Sequence, residues 1–155
     1  MKQKAVDASV TYILEKFPLY TGQFPIRFFG EYANNPAAPT KNQSYQGGIQ
    51  FGKSGKKGTW DLTYRYIVLG ADSMYEELVD SDFGAYYGTG PAGSGVGAGY
   101  GPGTNLRGHV VKMAYSPYDS FTFGITYYLA SVIDELPSGS KSEVGRIQVD
   151  AIWKF

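Results

Sequence analysis

Period-two alternation of apolar and polar residues recurs in seven runs of this chain, and it is least ambiguous between Gly145 and Phe155. There Ile147, Val149, Ala151, Trp153 and Phe155 fall on one side of an extended backbone, and Arg146, Gln148, Asp150 and Lys154 fall on the other. Ile152 alone interrupts the polar row. Successive strand side chains point to opposite faces, so this spacing gives one greasy and one wet face only if the segment is a strand. A helix would scatter the same residues around its circumference.

The same reading places strands near residues 5–17, 25–34, 44–53, 58–70, 107–116, 120–133 and 143–155. Val6, Ala8, Val10, Tyr12 and Leu14 share the first apolar face, and Ile26, Phe28 and Tyr32 oppose Arg27, Phe29 and Glu31 in the second strand. Tyr45, Gly47, Ile49 and Phe51 oppose Gln46, Gly48 and Gln50, and Trp60, Leu62, Tyr64, Tyr66 and Val68 oppose Asp61, Thr63 and Arg65. Val111, Met113 and Tyr115 stand against Val110, Lys112 and Ala114, with Ser116 to Asp119 expected to turn the chain into the run Phe121, Phe123, Ile125, Tyr127 and Leu129. No amphipathic helix is expected; Met74 to Val79 amounts to one helical turn at most. The fold class is therefore all-β, with about seven up-and-down antiparallel strands in a single unit spanning residues 1–155.

Short connections alternate with long ones, since Asn34 to Ser44, the 70–106 segment and Asp134 to Glu143 are long and rich in Gly, Pro, Asn and Ser. That is the habit of transmembrane β-barrels, whose long loops are extracellular. Facing residues must share a face, which suggests Phe51 opposite Trp60, Ile49 opposite Leu62, Gly47 opposite Tyr64, Gln50 opposite Asp61 and Gln46 opposite Arg65. By the same parity Glu15 should face Arg27, Thr11 Glu31, Tyr115 Phe121 and Lys112 Gly124.

The aromatics Tyr12, Trp60, Tyr66, Tyr115, Phe121, Tyr127, Trp153 and Phe155 sit mostly toward strand ends, as interfacial girdles do. The opposite rows are too rich in charge for a dry core but suit a water-filled lumen, so a membrane barrel is favoured over a soluble ligand-binding barrel or sandwich. A mean hydropathy of −0.26 does not oppose this, because half of each barrel strand faces water. The 14 basic and 14 acidic residues cancel, which gives no reason to expect nucleic acid, and the absence of Cys excludes a disulfide scaffold or thiolate metal site. Asp7 and Glu15 interrupt what would otherwise look like a secretory signal after Lys2 and Lys4.

Thr63-Tyr64-Arg65-Tyr66, Gly70-Ala71-Asp72-Ser73, Asp80-Ser81-Asp82-Phe83-Gly84, Gly103 to His109 and Val144-Gly145-Arg146-Ile147-Gln148 carry a further signal. Through them the chain, from about Pro25 to Phe155, resembles a porin family of Gram-negative outer membranes, with Tyr86 to Pro102 standing as an insertion. The resemblance is to the C-terminal portion of such proteins. It implies a bacterial outer-membrane location, contact with outer-membrane lipid, and recognition of the terminal Trp153 and Phe155 by the barrel-assembly machinery. Single-chain barrels of bacteria have an even strand number from eight upward, so seven strands suggest the C-terminal part of a larger barrel, completed by missing N-terminal strands or other barrel chains. Assembly as a homo-oligomer stays open.

The expected function is a porin segment that forms part of a water-filled channel for passive diffusion of small polar solutes. Pore-lining candidates are Arg27, Glu31, Gln46, Gln50, Asp61, Arg65, Lys112, Arg146, Gln148 and Asp150, with Lys154 and Glu15 among the mixed charges. The long loop supplies Glu76, Glu77, Asp80 and Asp82, which would narrow the pore and favour cations if it folds inward. The alternative is a small outer-membrane barrel with an adhesion or anchoring role and no open pore. No enzyme is expected, since the single His109 lacks a Cys, a second His or a nucleophile elbow and is expected to anchor the Gly103–Gly108 turn. Gly88-Thr89-Gly90-Pro91-Ala92-Gly93 matches the dinucleotide fingerprint by letters only, because no helix follows, so neither cofactor nor metal is anticipated.

Overall fold

The structure is a computed structural model of the 155-residue chain, and it describes residues 4–74, 80–84, 104–134 and 143–155. Seven strands run β1 Lys4–Leu14, β2 Phe24–Asn34, β3 Gln43–Gly52, β4 Thr59–Leu69, β5 Leu106–Tyr118, β6 Phe121–Val132 and β7 Glu143–Trp153. They form one antiparallel sheet in sequence order, with β1 and β7 as its two edges. The fold is thus all-β and up-and-down, and the sheet is not closed. A single helical turn, α1 (Ser81–Gly84), lies in the long connection between β4 and β5. No helix among the described residues is long and apolar enough to cross a membrane, a statement that does not bear on strands.

Every strand presents the face that alternation assigns to it, but the partners along the strands slip by even numbers of residues. Ile49 faces Tyr64, Phe51 faces Leu62, Gln50 faces Thr63 and Gly48 faces Arg65, so the expected β3–β4 pairs are displaced by two. Gly52 adopts a left-handed φ of 71° and leads the chain out of β3, leaving Thr59 and Trp60 to pair with Ser116 and Tyr115 of β5 instead. Arg27 pairs with Thr11, and Glu31 with Asp7, a displacement of four in the β1–β2 hairpin. The Glu15–Gln23 connection is longer than a minimal turn because its own aromatics are put to use. Phe17 stacks on Phe24 at 4.0 Å, Tyr20 meets Phe24 edge-on at 4.9 Å, and Trp60 lies 5.2 Å from Phe24. Trp60 Nε1 donates to the Leu19 carbonyl at 2.9 Å, which fastens this connection over the start of β4.

In the β5–β6 hairpin the turn is tighter than Ser116 to Asp119. Strand β5 continues to Tyr118 through a bulge after Tyr115, Asp119 and Ser120 alone make the turn, and Tyr115 therefore faces Phe123 and Lys112 faces Thr126. Ser116 Oγ, within the bulge, accepts the Gly55 amide at 2.7 Å and lies 2.7 Å from Thr122 Oγ1, which ties two neighbouring short turns together.

The apolar convex face is open, and the opposite face is covered from β4 to β6, while on β1 and β2 both faces are open, Arg27 and Glu31 included. Val10 is 70% exposed, Ile147 69% and Val149 60%, whereas Ile67, Val110, Tyr128 and Ala130 on the other face are buried. A hollow bounded by side chains of β2 through β7 shows that the covered face is concave. At the long-connection end three loops interlock. Buried Asn35 donates to the Asp72 carbonyl at 2.7 Å, buried Asn105 donates to the Asp134 carbonyl at 3.1 Å, and Lys41 pairs with Asp134 at 2.6 Å.

Candidate functional site: the concave face

Because ladder partners share a face, the concave side can be read as rows running across the sheet. One row reads Thr11, Arg27, Gln50, Thr63, Lys112, Thr126 and Gln148, and it is polar at every strand. The next row toward the long connections reads Ser9, Phe29, Gly48, Arg65, Val110, Tyr128 and Arg146. Beyond it lie Asp7, Glu31, Gln46 and then Ile67, Gly108, Ala130 and Val144, so the face is acidic toward β1 and apolar toward β7.

Eight of the ten pore-lining candidates converge on one polar hollow of about 380 Å³: Arg27, Glu31, Gln46, Gln50, Arg65, Lys112, Gln148 and Asp150. The sequence missed Phe29, Thr63, Val110, Thr126 and Tyr128, which complete its wall. Thr63 and Thr126 carry the same period-two signal as their neighbours; Phe29 and Tyr128 were legible only as aromatics out of phase with the apolar faces. The two remaining candidates have other duties. Asp61 is buried and accepts the Ser54 amide at 3.0 Å, so it anchors the β3–β4 turn, and Arg146 is engaged above the hollow by Asp82. Lys154 donates to the Gly55 carbonyl at 3.3 Å at the short-turn end, and Glu15 accepts from Gln23 within its own connection.

Wall polarity is internally matched in places. Gln46 Nε2 donates to Glu31 at 2.6 Å, and Gln148 Nε2 donates to both Asp150 oxygens at 3.0 and 3.2 Å. The Arg27 guanidinium lies 5.5 Å from the centre of the Phe29 ring, a cation–π contact on the concave side. That ring occupies the space a side chain at position 48 would need, since a Cβ on Gly48 would stand 2.7 Å from Phe29 and would also meet the Tyr64 carbonyl.

The long connection does return to the concave face. Asp80 accepts from Arg65 and Asp82 from Arg146, each at 2.9 Å, while Phe83 of α1 is fully buried against the cluster of Ile67, Leu69, Leu106, Val110, Tyr128 and Ala130. The Asp80 side chain also accepts the Asp82 amide at 3.0 Å, which shapes the turn that carries Phe83 inward. Both carboxylates are thus partnered by guanidinium groups, an arrangement that lowers their capacity to attract free cations. Glu76 and Glu77 lie outside the described residues, as does the Gly88–Gly93 run. Phe83 anchors this inward segment; Asp80 to Gly84 is one of the motifs that carry the family resemblance, but no alternation around Phe83 indicates that its ring turns inward.

On the convex side, Lys4, Arg107 and Glu143 all face outward at the long-connection end, and no other Asp, Glu, Lys or Arg in the strands does so. His109 also faces outward, with Nδ1 2.8 Å from the Tyr64 hydroxyl and its ring 5.0 Å from Tyr66, so it belongs to the strand surface and not to the Gly103–Gly108 turn. Gly145 to Trp153 rises about 27 Å along β7, or about 21 Å along the normal at a tilt of ~40°, close to the ~25 Å apolar band of a membrane barrel. Trp153 is 61% exposed and packs 5.5 Å from Phe121, and Phe155 is fully exposed. No family model matches the chain, and neither a curated protein nor a solved structure matches it.

Proposed function

We propose that this chain forms part of the wall of an outer-membrane porin, a water-filled barrel through which small polar solutes diffuse passively. The observation that carries this reading is the inversion of chemistry across the sheet: the convex face is apolar and exposed, and the concave face gathers eight charged or amide side chains around one hollow. A soluble sandwich or barrel would bury the apolar face and leave the charged one wet. The convex face meets lipid, the concave rows meet water, and the exposed Trp153 and Phe155 are available to the barrel-assembly machinery. Resemblance of Thr63 to Tyr66 and of Val144 to Gln148 to a porin family points the same way.

Two unpaired edges in lipid would leave backbone N–H and C=O groups unsatisfied at several kcal/mol each, so further strands complete the wall. Strands β1 and β7 run in the same direction, and antiparallel closure between them therefore needs an odd number of added strands. The test is planar-bilayer conductance of the full native protein containing this chain. Discrete ohmic openings, with Arg27→Glu shifting ion selectivity, are expected. A non-conducting small barrel with an anchoring role is the second reading, favoured by the Asp80–Gly84 segment that occupies part of the trough; absence of openings in correctly folded protein would select it.

A further inference from the structure

The middle of the concave face carries four cations and no acid of its own. Arg65 and Arg146 stand in one ladder row, Arg27 and Lys112 in the next, and neither row contains Asp or Glu in any of the seven strands. The carboxylates present at this level are brought by the long connection, Asp80 onto Arg65 and Asp82 onto Arg146 at 2.9 Å. Between these pairs lies Tyr128, and beside it the ring of Phe83 enters an apolar cup that includes Ile67, Leu106 and Val110. The segment therefore offers the arginines two carboxylates and offers the cup one phenyl ring, which is how an amphipathic anion would fill the same place.

Two hollows flank the segment. The polar one, of about 380 Å³, contains Arg27, Arg65 and Lys112. The other, of about 450 Å³, is walled by Ile67, Leu69, Met74 and Phe83 and reaches Arg65 and Asp80. Arg65 borders both, so a solute passing from one to the other meets the guanidinium that Asp80 holds. Of the acids lining the two hollows, Glu31 is engaged by Gln46, Asp150 by Gln148 and Asp80 by Arg65, and Asp7 stands at the β1 side of the second hollow, whereas Arg27 and Lys112 make no ion pair among the described residues.

We propose that Asp80–Gly84 is a tethered competitor occupying an anion site, and that the solute this site takes is an amphipathic carboxylate with a compact, preferably aromatic, apolar body. Its carboxylate replaces Asp80 on Arg65 and is then received one ladder row on by Arg27 and Lys112, while its apolar body uses the cup that holds Phe83. The passage of that solute rests on the channel reading; its binding does not. No bond is made or broken, and the exchange is one carboxylate for another on the same guanidinium group.

Calorimetric titration of the full protein in detergent with phenylacetate, acetate and phenethylamine tests the site. Phenylacetate is expected to bind an Asp80→Asn/Asp82→Asn variant about tenfold more tightly than the parent, because removing the tethered carboxylates raises the fraction of competent sites. Adding Arg65→Gln to that variant should abolish the gain. Acetate, which lacks the ring, and phenethylamine, which reverses the charge, should bind at least about tenfold more weakly than phenylacetate. Should the double variant fold poorly, Phe83→Ala keeps both carboxylates, loosens the segment and should shift phenylacetate affinity in the same direction. Equal phenylacetate affinity in parent and variants, or equal binding of phenethylamine, would overturn the proposal. Binding as expected in a protein that never conducts would uphold the site and defeat the channel reading, and a conducting protein indifferent to phenylacetate would do the opposite.

Discussion

Removing the Phe83 ring should release the inward segment while leaving the sheet intact. Phe83 is fully buried, and the residues around it, Ile67, Leu69, Leu106, Val110, Tyr128 and Ala130, belong to β4, β5 and β6, which are joined to one another by continuous ladders without it. Truncation of a buried Phe to Ala costs about 3–5 kcal/mol where the site cannot relax. Here water can reach the vacated cup from the adjoining hollow, so about 3 kcal/mol at the low end of that range is the appropriate figure. The two ion pairs have arginine side chains 28% and 40% exposed and aspartates 40% and 35% exposed, and screened pairs of that kind hold the segment by no more than about 1 kcal/mol each. A loss of about 3 kcal/mol changes the ratio of docked to released segment by roughly a hundredfold. Hydrogen exchange read by mass spectrometry on a peptide covering residues 80–84 measures that ratio directly, since the Phe83 amide donates to the Asp80 carbonyl at 3.0 Å in the docked turn. Exchange in this peptide should accelerate about a hundredfold while peptides from β4 to β6 stay protected. An acceleration of less than about threefold, or loss of protection across the sheet as well, would refute the assignment of Phe83 as the anchor of a separable segment.

Gly48→Ala should destabilise the sheet by about 1–3 kcal/mol in urea unfolding from detergent micelles, because the new methyl meets the Tyr64 carbonyl and the Phe29 ring. An outward charge at Val149→Arg should cost about 2–4 kcal/mol of folding into vesicles, whereas the neighbouring Gln148→Arg on the concave face should cost far less, as judged by the folded fraction on unheated gels. Burial raises the Asp72 carboxyl pKa against the lowering influence of Lys41, and its Oδ2 has no hydrogen-bond partner among the described residues. A raised carboxyl pKa contributes stability that is present below the unfolded pKa and lost as pH rises through the folded one. Asp72→Asn should therefore raise the melting temperature at about pH 7 and leave it unchanged relative to the parent at about pH 3. An equal shift at both pH values would exclude that cause.

Faces were legible in the sequence because period-two alternation is a local property. Arg27, Gln50, Lys112 and Gln148 could each be assigned to the wet side from their immediate neighbours alone, and they meet in one ladder arc. Pair partners were not legible to the same degree, since parity permits any even slip. What selects among the slips is nonlocal: the docking of Phe17 and Tyr20 on Phe24 and Trp60, the left-handed Gly52, and the Ser116 bulge shared with Gly55. The site shows the same division. The polar wall follows from alternation, but the landing of Asp80 and Asp82 on Arg65 and Arg146 depends on Phe83 finding a cup built from three separate strands. Asp61 illustrates the limit from the other side, as its face is correct but its carboxylate is taken by the Ser54 amide of a turn.

Which face of the sheet meets lipid separates a membrane barrel from a soluble one. Since the chain has no Cys, single cysteines placed one at a time from Phe121 to Ala130 can each carry a nitroxide without background labelling. In phospholipid vesicles, collision with dissolved oxygen reports lipid contact and collision with a water-soluble nickel chelate reports water. High oxygen accessibility is expected at positions 121, 123, 125, 127 and 129, and high nickel accessibility or burial at the even positions between them. Nickel accessibility at the odd positions would mean that the apolar face is solvated or packed against protein, and the membrane reading would be wrong.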